Sequence, residues 1–182
     1  MAIKSTVFKL NLTISDMNRG YYAEHVLTLA RHPSETDVRM MLRIAAFALN
    51  AHERLVFTKG LSDVDEPDIW QKSLSGDIEE WIELGQPIDK RIRQACGKSQ
   101  HVSIYSYQRG SINIWYEGIK ASLERFKHLR VFQFVLADES QVERLMDRSM
   151  TLNCLIEDQY LMFSNDTESL SIEVKPLKQE QR

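Results

Sequence analysis

The sequence predicts one domain of the α/β (α+β) class, in which a mixed β-sheet is flanked by helices. The chain has 182 residues, a length typical of one domain, and its 43% hydrophobic residues suffice for a single core. Segments of alternating apolar and polar residues occur near both ends, as expected of extra antiparallel strands there. Between them, the patterns follow the order strand–helix–strand–strand–helix–strand, which is typical of a mixed sheet covered by helices.

The first fifty residues contain two strand patterns and the clearest helix signal. Residues 3–14 alternate as a half-buried strand does, and residues 16–20 form a turn cluster. Residues 22–30 fit a returning strand or a short helix, and the turn before them favours the strand. Ser34 is the expected N-cap of a helix, and the apolar stripe behind it has a period of 3.6 residues.

The remaining segments alternate between strand and helix patterns. Residues 111–116 have two interpretations, as the second strand of a hairpin after 101–107 or as the start of a helix. Residues 129–136 are apolar on both faces, which indicates a central strand. The other expected elements are strands at 54–58 and 81–84, helices at 88–99, 118–128 and 138–146, two or three short strands within 150–174, and a frayed tail at 176–182.

Charge is unevenly distributed along the chain. Residues 61–83 contain eight acidic residues and one basic residue, whereas residues 88–130 contain nine basic and three acidic residues. Carboxylates beside a cationic surface suit a metal ion that acts on a polyanion. Chance patterning of solvated surfaces is the alternative.

Cysteine usage and hydropathy favour a cytoplasmic protein. Cys96 and Cys154 are far apart and lack a CxxC partner, so they indicate neither a disulfide framework nor a zinc site. No stretch approaches the roughly 20 apolar residues that span a bilayer, and no signal peptide is expected. The glycines form no phosphate-binding loop, so no nucleotide cofactor is expected, and the histidines have no metal-ligand spacing.

Three acidic positions are candidates for metal binding. Glu35 lies in the first turn of the first helix, the segment Asp65-Glu66-Pro67-Asp68 forms the acidic loop, and Glu83 lies on the following strand. Mg²⁺ or Mn²⁺ takes oxygen ligands and needs only one or two carboxylates. Each position has a simpler interpretation. Glu35 can pair with Arg39 at i+4, the loop can be an acidic turn, and Glu83 can face water.

The motifs resemble two related groups of proteins. A helix, a hairpin with an acid at its turn and Glu-x-x on its second strand, then a helix and a strand, resemble the core of the PD-(D/E)XK nuclease superfamily. The whole chain resembles the YaeQ family more specifically. The motifs that carry this resemblance are Arg31–Thr36, Gly60-Leu61, Asp65-Glu66-Pro67, Trp70, Trp81–Gly85, Arg91-Ile92 and Asp147–Leu152.

The resemblance implies a restriction-endonuclease-like core at about residues 33–136 and a site for Mg²⁺ or Mn²⁺. Asp65 or Glu66 and Glu83 would hold the metal, and Glu35 would be an auxiliary ligand or base. The superfamily lysine two residues after the second acid is absent, since Gly85 stands there. Lys90 or Arg91 would stabilise phosphate charge instead, and Lys90, Arg91, Arg93 and Lys98 would contact nucleic acid.

The expected activity is therefore metal-dependent phosphodiester hydrolysis on nucleic acid. A second hypothesis is a degenerate nuclease fold that binds nucleic acid or a protein partner without turnover. The missing lysine favours this second hypothesis. Association with a membrane is not expected.

Overall fold

The computed structural model describes residues 4–180, which form ten strands and four helices. The strands are β1 (Thr6–Asp16), β2 (Tyr21–Arg31), β3 (Leu55–Phe57), β4 (Ile69–Lys72), β5 (Ile78–Leu84), β6 (Ser99–Ser106), β7 (Leu129–Leu136), β8 (Ser149–Glu157), β9 (Tyr160–Ser164) and β10 (Ser169–Lys178). The helices are α1 (Asp37–Leu49), α2 (Asp89–Lys98), α3 (Ile112–Leu123) and α4 (Ser140–Leu145), and a short 3₁₀ turn spans Gly60–Ser62.

All ten strands belong to one mixed sheet. Their order is β2-β1-β8-β9-β10-β7-β6-β5-β4-β3. The pairs β1–β8, β5–β6 and β6–β7 are parallel, and the other neighbours are antiparallel. The mixed sheet and the internal position of β7 confirm what the sequence predicts, and the strands added near both chain ends are present.

The sheet curls around α1. Nine consecutive residues of this helix, 40–48, are buried, so it is enclosed on every side. The two edges of the sheet approach each other, because Val7, Thr28 and Ala30 from one end line the same surface pocket as Phe57 and Trp70 from the other. A helix that is buried all round needs an interior, and the curled sheet supplies one, with the charge of Arg43 paired to Glu35.

Two apolar cores lie on opposite faces of the sheet. The larger core surrounds α1 and includes Phe47 and Phe134. The smaller core lies under α2 and α3 and includes Trp81, Ile92 and Leu123. Strand β5 contributes to both, since Trp81 faces one side and its neighbour Ile82 the other.

Some sequence-based expectations differ from the structure. Residues 111–116 do not form a strand, because α3 begins at Ile112 and runs to Leu123. Its inward residues Trp115, Ile119 and Leu123 follow a helical spacing and pack on the smaller core, and Ile112 is also buried. Over so short a window, this spacing and strand alternation look alike.

The cap of α1, strand β4 and the C-terminal tail also differ. Thr36, not Ser34, is the N-cap of α1, and its hydroxyl accepts the Arg39 backbone N–H at 3.1 Å. The four-residue β4 is absent from the sequence prediction. Residues 176–178 continue β10, and Lys178 donates to the carbonyl of Phe126 at 2.9 Å. Ile3 and residues 181–182 lie outside the described part.

Candidate functional site

An open cleft of about 480 Å³ lies at the C-terminal end of β5. Its walls are the loop between β3 and β4, the turn from Gly85 to Pro87, and the start of α2. Helix α1 contributes Arg39 to its floor. The lining residues are Arg39, Gly60, Leu61, Asp63, Val64, Glu66, Pro67, Asp68, Glu83, Leu84, Gln86, Pro87, Ile88 and Arg91.

Asp68 is the most buried acid of the cleft. It is 4% exposed and immediately precedes β4. Its Oδ1 accepts from Arg39 Nη2 at 2.8 Å, and its Oδ2 accepts the Leu84 backbone N–H at 2.9 Å. Because Ile69 pairs with Ile82 across β4 and β5, Asp68 lies at the level of Glu83 on the neighbouring strand. The short strand β4 thus brings a second carboxylate to the end of β5.

Behind Asp68, two arginines of α1 hold Glu35. Arg39 Nη1 donates to Glu35 Oε1 at 2.9 Å, and Arg43 Nη2 donates to Oε2 at 2.8 Å. Arg43 and the Glu35 side chain are each at most 2% exposed. Arg39 therefore joins Glu35 to Asp68, and the buried charges alternate in sign along the network.

The electrostatics of this network follow from its burial. Burial by itself lowers the pKa of the Arg39 guanidinium, but Asp68 and Glu35 outweigh that effect and raise it. Burial also raises the pKa of the Tyr107 phenol, and the neighbouring Arg39 acts against this rise. Arg39 therefore keeps its charge, while Tyr107 stays protonated at neutral pH.

Glu83 lines the cleft from the end of β5 and pairs with Arg91. Its two carboxylate oxygens accept from Arg91 Nε at 2.9 and 3.1 Å, and Oε2 also accepts from Trp81 Nε1 at 3.0 Å. The Arg91 guanidinium lies 5.2 Å from the centre of the Trp81 ring. Partial burial requires Glu83 to have such partners.

Arg91 also fastens the acidic loop to α2. Its Nη2 donates to the Glu66 carbonyl at 2.7 Å, and its Nη1 donates to the Val64 carbonyl. Each guanidinium nitrogen thus has a partner in the resting structure. An incoming phosphate would have to exchange with one of these partners.

The structure brings together only some of the residues singled out by the sequence. Glu66, Glu83 and Arg91 line the cleft, and Glu35 lies behind it, linked through Arg39. Asp65 is exposed on the loop and is not part of the lining. Within residues 4–180, no group of three or more His, Cys, Asp or Glu side chains is arranged to hold a metal ion.

The three other basic candidates lie on the exposed surface of α2. Lys90 and Arg93 are near its start, and Lys98 is in its last turn. Arg93 pairs with Asp89 at 2.7 Å. Only Arg91 reaches the cleft, because residues on consecutive helical positions point in different directions.

The sequence predicts Asp68 only as part of the acidic segment 65–68, with the metal-binding role given to Asp65 or Glu66, and it predicts Arg39 only as a partner of Glu35. The available signal was Pro67-Asp68 directly before the apolar pair Ile69-Trp70, which marks the entry into a short strand. Had β4 been predicted, its antiparallel pairing with β5 would have placed Asp68 next to Glu83.

The chain is similar throughout its length to known proteins. The profile of the family described as "YaeQ protein" matches residues 1–174. The chain is 37% identical to the "Uncharacterized protein YaeQ" of Salmonella typhi and 36% identical to that of Escherichia coli K12, each over 98% of this chain and 99% of the relative.

Two crystal structures share this fold. The YaeQ protein from Xanthomonas axonopodis pv. citri is 39% identical with a TM-score of 0.89, and the alignment covers 96% of this chain and 99% of that one. The YaeQ protein from Pseudomonas syringae is 32% identical with a TM-score of 0.87, covering 97% of both chains. The chain therefore belongs to the YaeQ family.

Proposed function

We propose that the cleft is the active site of a Mg²⁺- or Mn²⁺-dependent phosphodiesterase that acts on nucleic acid. The observation that carries this proposal is the placement of Asp68 and Glu83 at the same level of two paired strands, both lining one cleft. Glu66 lines the same cleft as a third acid. The succession of α1, the β3–β5 strands, α2 and β6 supports the resemblance to the PD-(D/E)XK core.

The donor set fits a hard cation. Two carboxylates with water in the remaining positions satisfy Mg²⁺ or Mn²⁺, which prefer oxygen ligands. When bound, such a cation would polarise the phosphodiester and lower the pKa of a bound water. Asp68 and Glu83 would be its ligands, with Glu66 in reach of the same cleft. Glu35 would act as a positioning residue, since it holds Arg39, which in turn holds Asp68.

Arg91 is the residue proposed to hold the phosphate. It stands in for the superfamily lysine, whose place Gly85 takes. A guanidinium does not give up its proton, but its fork geometry suits phosphate oxygens. A phosphate in the cleft would therefore draw Arg91 from Glu83 and leave that carboxylate to the cation. Lys90 is exposed at the start of α2 and does not line the cleft, so it would contact a phosphate only outside it.

No helix in residues 4–180 is long and apolar enough to cross a membrane. Both cysteines are free and buried. Free thiols persist in a reducing compartment, and we therefore place the proposed activity in the cytoplasm.

The test combines Mn²⁺ calorimetry with a cleavage assay on labelled single- and double-stranded DNA and RNA. We expect Asp68→Asn and Glu83→Gln to lower Mn²⁺-stimulated cleavage at least about tenfold, equivalent to about 1.4 kcal/mol of lost stabilisation. Asp166→Asn, at an exposed acid between β9 and β10, is the matched control and should cleave at the wild-type rate. Full-rate cleavage by Glu83→Gln would exclude the proposed site.

The alternative function is binding of nucleic acid or a protein without turnover. The commitment of each Arg91 guanidinium nitrogen to Glu83, Val64 or Glu66 favours it, because the cation that should serve the phosphate already has partners. A gel shift that weakens steeply with salt, without cleavage and without Mn²⁺ binding, would identify this function.

A further inference from the structure

A second cavity of about 480 Å³ lies at the other end of α1. The first cleft includes Arg39 near the start of this helix, whereas the second includes residues 49–51 at its end. A helix of 13 residues is about 20 Å long, so the two sites are separate. Strands β5, β6 and β7 supply the opposite wall of the second cavity.

Cationic side chains dominate this second cavity. Arg19, Arg54 and Arg130 line it with two imidazoles, those of His52 and His101, and two acids, Glu79 and Glu80. A third acid, Glu180, lies 3.3 Å from the His101 imidazole. The existing partners of each group show which donors are already used.

All three guanidinium nitrogens of Arg19 have hydrogen-bond partners, so this side chain forms part of the cavity wall and has no free donor. Its Nε donates to Asp16 at 2.6 Å, and its two Nη atoms donate to the carbonyls of Ala48 and Ala51 at 3.2 Å. It thus caps the C-terminal end of α1. Arg54 pairs with Glu79 at 2.9 Å through Nη2 and donates to the Lys72 carbonyl at 2.6 Å through Nη1, and its side chain is 33% exposed.

Arg130 and His52 have donors to spare. Arg130 Nη2 donates to Glu80 at 3.0 Å, and the Arg130 side chain is 26% exposed. Its Nε has no hydrogen-bond partner within the described chain, but this atom is buried and shielded from the cavity. His52 Nδ1 accepts the Arg54 backbone N–H at 3.1 Å, so in the neutral ring the proton lies on Nε2. Burial also raises the pKa of Glu80, against the effect of Arg130 and His101.

The geometry points to this second cavity as a binding site for a small ligand that carries a phosphoryl dianion, held by Arg54, Arg130 and His52. A phosphoryl group offers three acceptor oxygens and two negative charges, which match guanidinium and imidazole donors better than a carboxylate does. The volume lies within the roughly 300–1,000 Å³ of small-molecule sites. The site is independent of the proposed phosphodiesterase cleft.

The experiment is a titration of the full chain with inorganic phosphate and with glycerol 3-phosphate, at constant ionic strength set with NaCl. Imidazole NMR signals report ligand binding in this cavity directly, because the chain has five histidines and only His52 and His101 line the cavity. We expect saturable shifts of these two signals and none of the other three. Tighter binding of glycerol 3-phosphate would identify an organic phosphate as the ligand, and tighter binding of inorganic phosphate would identify the free ion.

Arg54→Gln is the main variant, because its partly exposed side chain can be replaced without emptying the core. It should weaken phosphate binding at least about tenfold, as expected for loss of one charge-assisted contact. Arg130→Gln should do the same but leaves Glu80 unpaired, so Arg54→Gln carries the test if that variant fails to fold. Arg125→Gln, exposed after α3, is the matched charge control. Shifts that are absent, that do not saturate, or that persist in Arg54→Gln would overturn the inference.

Discussion

At the scale of single residues, the cleft is a set of ion pairs whose strength depends on burial. Glu35 was expected to be able to pair with Arg39 at i+4, and the structure confirms this contact. The sequence did not show that Arg43 would occupy the second oxygen of Glu35, or that Arg39 would also bind Asp68. Those contacts require the loop and α1 to meet, which no local pattern encodes.

Replacing Glu35 should test how strongly the fold depends on this network. Glu35→Gln leaves two buried guanidinium groups short of one negative charge, and we expect the free energy of unfolding to fall by about 3–5 kcal/mol. Urea unfolding followed by circular dichroism measures this loss.

The matched control is Glu157→Gln, an exposed acid at the end of β8. Its free energy of unfolding should stay within about 0.5 kcal/mol of wild type. Equal losses in the two variants would mean that the Glu35 network contributes no more than an exposed charge.

At the scale of elements, periodicity identified most segments and failed where a segment is short or its start is ambiguous. The alternation of β8 and the apolar run of β7 are long enough to be read from sequence. Strand β4 has four residues, and its existence depends on pairing with β3 and β5. Because β4 is missing from the sequence prediction, the position of Asp68 beside Glu83 is missing as well. An unrecognised strand therefore led to an incomplete prediction of the site.

The start of α1 provides a test at the same scale. Thr36→Ala removes the hydroxyl that accepts the Arg39 backbone N–H, and we expect it to lower the free energy of unfolding by about 1 kcal/mol. Ser34→Ala is the matched control, because the hydroxyl of the exposed Ser34 bonds to the His32 ring instead. A larger loss for Ser34→Ala, measured by urea unfolding, would restore Ser34 as the cap.

At the scale of the whole molecule, one curled sheet encloses a helix and leaves a cavity at each end of it. The first cleft opens beside the carboxyl end of β5, and the second opens beside the start of β6 and β7. The apolar residues of α1 fill the interior between the two cavities. Charged side chains therefore lie mainly at the two ends of the helix, where the cavities open to solvent.

The two buried thiols make global stability sensitive to alkaline pH. Burial raises the pKa of Cys96 to about 11 and also raises that of Cys154. An unfolded thiol ionises near pH 8.5, so between about pH 8.5 and 10 the unfolded chain has lost protons that the folded chain keeps. The free energy of unfolding should therefore fall as pH rises, by up to about 1.4 kcal/mol per pH unit for each thiol.

The pH slope of the urea unfolding free energy measures this effect between pH 7.5 and 10. A Cys96→Ala/Cys154→Ala variant has a lower overall stability but should show a shallower slope, because neither thiol remains to ionise. The prediction fails if wild type and double variant have the same slope.

The sequence by itself determined the family resemblance and the mixed sheet with its flanking helices. It also identified Glu66, Glu83 and Arg91 as candidate site residues, and these three line one cleft. These depend on motifs and on periods of two and 3.6 residues, which are local properties. Tertiary structure alone decided that Asp68 lies beside Glu83, that Asp65 stays outside the cleft, and that Arg19, Arg54 and Arg130 meet at the far end of α1. The physical reason is that strand pairing and the curl of the sheet join residues far apart in the chain.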